Sequence, residues 1–373
     1  MFKKSIKIVS LMIMLAVSIV ACSNNAKVEQ NANSAETTLD SSKETKAPIL
    51  SNELFKVEVP AKFDGTYETE VNDHTINFYD KEQKEAGNGA WLFGIQVFEN
   101  ANDWANGPVK KFGEVTLNNK LYDVVISYPT ESQFGFNSDG SPIEMPAKYK
   151  AFYDASEEIA TTLTGNNGEK VVVGGGTKGE NIYKNELNKH LTAIKEGWDA
   201  NKFESENMSS MYTVMAMGEG NVLDKAGFCY KDLNLDGIDE LLIGEIAEGE
   251  WNGIIYDLYT VVDRKPVHVV SGYDRNRYFA LDGTMIRNEY SNGANESGVN
   301  IYTLTGNSTE LFRQVAYKYD GLANESKPWF KSYDVGKDEA ENWENIEESD
   351  YNELDSRFSK KAVIDYKSFS TLN

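Results

Sequence analysis

Cysteine, histidine, proline and positive charge are all scarce in this chain. Two cysteines, Cys22 and Cys229, occur in 373 residues. They exclude a disulfide scaffold, because one belongs to an N-terminal signal and leaves the other without a mate. Cys229 sits between Phe228 and Tyr230 in an apolar stretch, the setting of a structural thiol. The three histidines, His74, His190 and His268, are isolated from one another. A zinc hydrolase needs clustered His or Cys ligands, and none is clustered here. H-E-x-x-H, G-x-S-x-G and S-x-x-K are all missing, so no catalytic motif announces itself. Lys and Arg number 37 against 59 Asp and Glu, a net charge of −22. That balance argues against nucleic acid, whose phosphates attract Lys and Arg, and against electrostatic adhesion to an anionic membrane.

The longest apolar run is at the start. Lys3, Lys4 and Lys7 precede Ile8–Ala21, which only Ser10 and Ser18 interrupt. The run is short for a bilayer span of about 20 apolar residues and reads as an export signal. It ends in Ile19-Val20-Ala21-Cys22, which resembles a bacterial lipobox. The resemblance implies cleavage before Cys22 and lipidation of its thiol, with the protein held on the extracytoplasmic face of the cell membrane. Loss of residues 1–21 removes three lysines and no acid, so the mature charge falls to −25. A lipoprotein without disulfides suits a Gram-positive envelope.

Residues 22–50 are rich in Asn, Ser, Thr, Glu and Lys and hold no aromatic residue, so a disordered tether is expected, reaching about 30 Å from the lipid. Residues 166–181 carry Gly174-Gly175-Gly176 and do not fit the phosphate-loop spacing; they read as a linker. Two domains are expected on either side, at 51–165 and 182–373.

The first shows strand-like runs at 55–59, around Asn72-Asp73, over 90–100 and around Asn118-Asn119, then one closing helix with Tyr149, Phe152, Tyr153, Ile159 and Leu163 at helical spacing. The second opens with a helix over 182–198 bearing Leu187, Leu191, Ile194 and Trp198. Eight short strands follow, with turns at Asp282-Gly283 and Gly306-Asn307, then an acidic helical tail. The expected class is α+β, two mainly antiparallel β-rich domains with flanking helices.

One motif carries chemistry. Residues 230–243 read YKDLNLDGIDELLI. Asp232, Asn234 and Asp236 alternate, so a tightly curled loop turns their oxygens inward; Gly237 gives the sharp turn, the Ile238 carbonyl points back, and Glu240 closes the cage. Carboxylates converging this closely repel unless a hard cation lies between them, and Ca²⁺ suits an all-oxygen cage. Position twelve is Ile243 and not Glu, and Leu-Leu-Ile reads as a strand, so this is not a full EF-hand. The pattern resembles the calcium loops of FG-GAP and VCBS-type surface modules. It is also similar to a C-terminal domain of exported Firmicutes lipoproteins, a family that implies no particular activity. The competing reading is a plain Asx-Gly turn without metal.

Trp91, Trp104, Trp251 and Trp329 lie beside Gly, Asn or Pro and could offer rings to a sugar; Trp251, after the acidic loop and its strand, is the best candidate. The sequence thus favours a lipid-anchored surface binding protein with a structural calcium site. Its partners would be the membrane through the lipid, and a wall polymer or an envelope protein. The rivals are an envelope hydrolase with an unidentified acid pair and a structural or sensory envelope component.

Overall fold

A computed structural model describes residues 47–336 and 340–372. The signal peptide, Cys22 and the tether through residue 46 lie outside the described residues. The tether's expected end does not hold at residue 50, because Ile49 and Leu50 already pair in a strand. Strand β1 (Ile49–Ser51) runs antiparallel to β2 (Phe55–Glu58), whose Phe55 and Val57 point into the core.

The alternating segments that follow build an antiparallel sheet. They are β3 (Tyr67–Asn72), β4 (Thr75–Asp80), β5 (Trp91–Phe98), β6 (Val109–Leu117) and β7 (Lys120–Ser127), with the short helix α1 (Lys81–Glu85) after β4. Asn118 and Asn119 take φ of 51° and 64°, the left-handed pair that a tight β6–β7 hairpin requires. The closing helix is broken in two, α2 (Ala147–Tyr153) and α3 (Ser156–Thr161). Its stripe is still buried at Tyr149, Phe152, Ile159 and Leu163. Phe152 meets Phe78 and Phe93 edge-on, and those two rings stack at 4.6 Å.

The glycine-rich stretch is built into this sheet. Within it β9 (Val172–Val173) pairs with β6, while β8 (Thr164–Gly165), just before it, pairs with β2 in a separate three-stranded sheet, β1-β2-β8. Gly113 permits the β9 pairing, since a Cβ there would lie 2.3 Å from the Val172 carbonyl oxygen. The sheet order is β3-β4-β5-β7-β6-β9.

A run of helices comes next: α4 (Gly179–Ile182), α5 (Lys184–Glu196), α6 (Ala200–Ser205), α7 (Met211–Met217) and α8 (Val222–Lys225). Gly197, at φ 64°, ends α5 in a left-handed cap. The strands are β10 (Ala226–Lys231), β11 (Glu240–Glu245), β12 (Ile254–Val262), β13 (Lys265–Ser271), β14 (Asn276–Ala280), β15 (Met285–Ser291), β16 (Glu296–Leu304), β17 (Leu311–Asp320), β18 (Trp329–Ser332), β19 (Glu344–Asn345) and, after helix α9 (Glu348–Arg357), β20 (Lys367–Ser368). All pair antiparallel in one large sheet, with β13 branching from β12. The α+β class with mainly antiparallel sheets therefore holds. Strands β11 and β12 are buried on both faces, between the helices and the returning C-terminal segment.

Beyond Thr45 the chain forms one compact unit. The six-stranded sheet and the large sheet share a core: Ala101, Trp104, Ala105 and Val125 pack in the same cluster as Leu187, Phe203, Ile238 and Tyr256.

Candidate metal centre

Residues 232–239 connect β10 to β11, closed by the opposed pair Lys231 and Glu240. The backbone passes through the left-handed region at Leu235, φ 64°, and Gly237, φ 90°. Side chains hold the curl. Asp232 Oδ2 accepts from the Gly237 N–H at 2.9 Å, Asn234 Oδ1 from Asp236 N–H at 3.1 Å, and Asp236 Oδ1 from Ile238 N–H at 2.9 Å. Glu240, 1% exposed, accepts from the Leu233 N–H at 2.7 Å and from the Thr260 hydroxyl at 3.1 Å. Ile238, whose carbonyl was the fifth expected ligand, is buried behind the loop.

The electrostatics of this arrangement are unfavourable to its own charges. Burial pushes the Asp236 carboxyl up to about 6, and the Asp232 charge beside it adds to the rise. Burial and then Asp236 drive Glu240 well above the carboxylate range; burial also raises Asp232. Asp232 Oδ1 is buried without a hydrogen-bond partner. Among the described residues no group of three or more His, Cys, Asp or Glu is closed up around a point that could hold a metal ion. The loop oxygens are turned onto backbone N–H groups instead. A carboxylate has about four lone-pair sites, so Asp232 and Asp236 each keep acceptor capacity beyond the bonds named. The donor set fits a hard cation in chemistry, and Asp232 Oδ1 is its uncommitted atom.

The loop lies where the two sheets meet, which its sequence did not reveal. The Lys111 N–H donates to the Asp236 carbonyl at 2.6 Å, Asp239 N–H donates to Thr177 O at 2.9 Å, and Gly179 N–H to Asp239 Oδ2 at 3.0 Å. Beneath it Asp123, fully buried, gathers Lys111 Nζ at 2.8 Å, the Trp104 indole N–H at 3.0 Å and Arg264 Nε at 3.1 Å. The one legible trace of this network is a Lys-Lys pair inside the strand-like run of β6. A groove of about 530 Å³ runs beside the loop, walled by Asn234–Asp236, Ala105–Lys110, Tyr128 and the turn at 303–306.

The other nominated residues are elsewhere. Trp251 ends a single 3₁₀ turn and is half-buried, with the Arg277 guanidinium 4.9 Å from its ring centroid. Trp104 is buried, and Trp329 packs against Tyr319 and Tyr351. The tryptophans therefore do not form a common platform. Cys229 is half-buried, and burial pushes its thiol up, away from a reactive thiolate.

The fold does bring a serine, a histidine and an aspartate together, unannounced by any motif. Ser271 Oγ lies 2.6 Å from Asp257 Oδ1, and His268 Nε2 is 3.1 Å from each. A relay needs the ring between hydroxyl and carboxylate, using both nitrogens. Here both partners meet one nitrogen and the hydroxyl donates directly to Asp257. That carboxylate also accepts the Ser209 N–H on both oxygens at 3.0 Å, tying the turn before α7 to β12.

No protein-family model matches the chain, and no curated protein or solved structure matches it either.

Proposed function

We propose that this chain is a lipid-anchored, extracytoplasmic binding protein whose 232–240 loop takes up a structural Ca²⁺. The observation that carries the metal is Asp232 Oδ1, buried and unpartnered beside carboxyls whose burial and mutual repulsion resist ionisation. A divalent ion would neutralise that charge and fix the connection between β10 and β11. Asp232, Asn234, Asp236 and the Ile238 carbonyl are the residues to hold it, with Glu240 bracing the loop through Leu233 and Thr260. Lipobox-like residues 19–22 support the anchor. The Ser271–His268–Asp257 arrangement, spent on holding a turn, supports binding over hydrolysis.

The test has two arms. Thermal unfolding is followed in EDTA and in Ca²⁺ up to about 10 mM, above the range of weak extracellular sites. A rise in melting temperature that Asp232→Asn abolishes is expected; an unchanged melt overturns the metal. Radiolabelled palmitate should enter the wild-type chain in cells and not Cys22→Ser; no incorporation in wild type overturns the anchor.

A further inference from the structure

The groove of about 530 Å³ beside the acidic loop takes Asn234 and Asp236 into its wall, two of the residues that would hold the ion. Its volume is that of a small-ligand site. The chain offers a Ca²⁺ in the loop Asp232, Asn234, Asp236 and the Ile238 carbonyl, while Glu240 is committed to the Leu233 N–H and the Thr260 hydroxyl. Ca²⁺ takes about 6–8 oxygens, more than these groups supply through one oxygen each. The remaining positions fall to water or to oxygens of a ligand in the groove.

Lys110 selects the ligand. It is the base of the lining among the described residues, and its stem lies against the loop: a Cβ on Gly237 would stand 2.8 Å from Lys110 Cγ. Asp232 and Asp236 cancel the charge of a divalent ion, which leaves the Lys110 ammonium beside a cation site. Two positive centres at one groove repel unless an anion lies between them. Lys110 Nζ meets Glu157 Oε1 at 2.9 Å, but the two side chains are 51% and 54% exposed. A pair so exposed is worth little against a competing anion.

The rest of the lining suits an organic stem. Leu235 of the loop is 63% exposed and Phe312 of β17 is 38% exposed, and both line the groove. Leu235 also sits at φ 64°, a costly conformation for a bulky side chain. The loop holds an apolar group at the groove despite that strain.

We propose that this groove binds an oxyanion of one negative charge on an organic stem, a phosphodiester or a carboxylate, held by Lys110 and by the positions left open on a Ca²⁺ in the loop. This rests on the calcium reading of the loop. Without the ion Asp232 and Asp236 repel the same anion, so binding requires calcium. By reciprocity the anion tightens the hold on calcium.

The experiment measures calcium binding to the full chain by calorimetry, alone and with glycerophosphoglycerol, glucuronate or neutral glycerol, each at millimolar concentration. At least one of the two anions should raise calcium affinity about fivefold or more, and neither should bind in EDTA. An effect of glycerophosphoglycerol alone assigns the phosphodiester, and of glucuronate alone the carboxylate. Lys110→Gln, and Asn106→Asp, which sets a carboxylate in the exposed part of the lining, should each remove the anion effect while calcium alone still raises the melting temperature. Calcium affinity unchanged by both anions overturns the proposal and leaves the calcium reading standing. An equal effect of glycerol, or an anion effect that both substitutions leave intact, overturns it likewise. No calcium binding under any condition overturns both readings.

Discussion

The backbone N–H of Lys111 and the carbonyl of Asp236 are joined at 2.6 Å, across more than a hundred residues of sequence. That bond fastens the acidic loop of one sheet to the strand of another. The loop is therefore more than a turn between β10 and β11: its conformation is read directly by β6 and, through Asp239, by residues 177–179.

Gly237 is the position where this contact tolerates least. Its φ of 90° is strained for any side chain, and a Cβ would stand 2.5 Å from the Lys111 carbonyl oxygen, a backbone atom that cannot swing aside. Gly237→Ala should cost about 2–4 kcal/mol, combining left-handed strain with overpacking. Urea unfolding checks this; a loss under about 1 kcal/mol would mean that the loop is free to pull away from β6.

Much of the architecture was legible for local reasons. Asn118-Asn119, Asp282-Gly283 and Gly306-Asn307 each mark a hairpin, and positive φ at Asn118, Asn119, Gly283 and Asn307 is the physical reason. The alternation in 230–243 located both the loop and its strand. Helices α6, α7 and α8, at six, seven and four residues, are too short to display a helical period. Strand β9 was hidden because its pairing depends on Gly113, far upstream. The loop's surroundings were illegible for the same reason: Arg264 reaches Asp123 over 141 residues, and no local pattern encodes such a meeting.

Asp236 links the loop to pH. Its carboxyl titrates near 6 when folded, against 3.8 as the reference value. The folded chain therefore holds this proton more tightly than the unfolded chain between those values. Metal-free stability should fall as pH rises from about 4 to 6, by on the order of 3 kcal/mol from this group, and stay flat above. In chelator, wild type minus Asp236→Asn should show that slope. A difference independent of pH over this window would show that Asp236 is ionised without penalty in the fold.

His190 makes the opposite contribution. Fully buried between the hydroxyls of Tyr212 at 2.7 Å and Tyr259 at 2.9 Å, it titrates near 4, held down first by loss of solvent. The unfolded chain binds this proton from about 6.5 downward, so stability is complete above that pH and is lost toward 4, by about 3 kcal/mol. The imidazole signals of His190 should stay in the neutral form from pH 8 to 5 by NMR. A midpoint near 6.5 would mean that water reaches the ring.

Asp123 tests what holds the two sheets together. Its carboxylate is the shared partner of Lys111, Trp104 and Arg264, and the Lys111 side chain is 2% exposed. Asp123→Ala strands that ammonium with Glu114 alone at 2.8 Å, so unfolding free energy should drop by about 3–5 kcal/mol, the usual cost of breaking a buried pair from one side. Arg264→Ala should cost less, about 1 kcal/mol, because its side chain reaches solvent. Replacing both charges, Lys111→Met with Asp123→Leu, removes the stranded ion and should recover at least about 2 kcal/mol of the single-variant loss. Strictly additive losses in the urea cycle would mean that Asp123 and Lys111 are not coupled, and that the junction is held by the apolar contacts of Trp104 and Val125 with the helices.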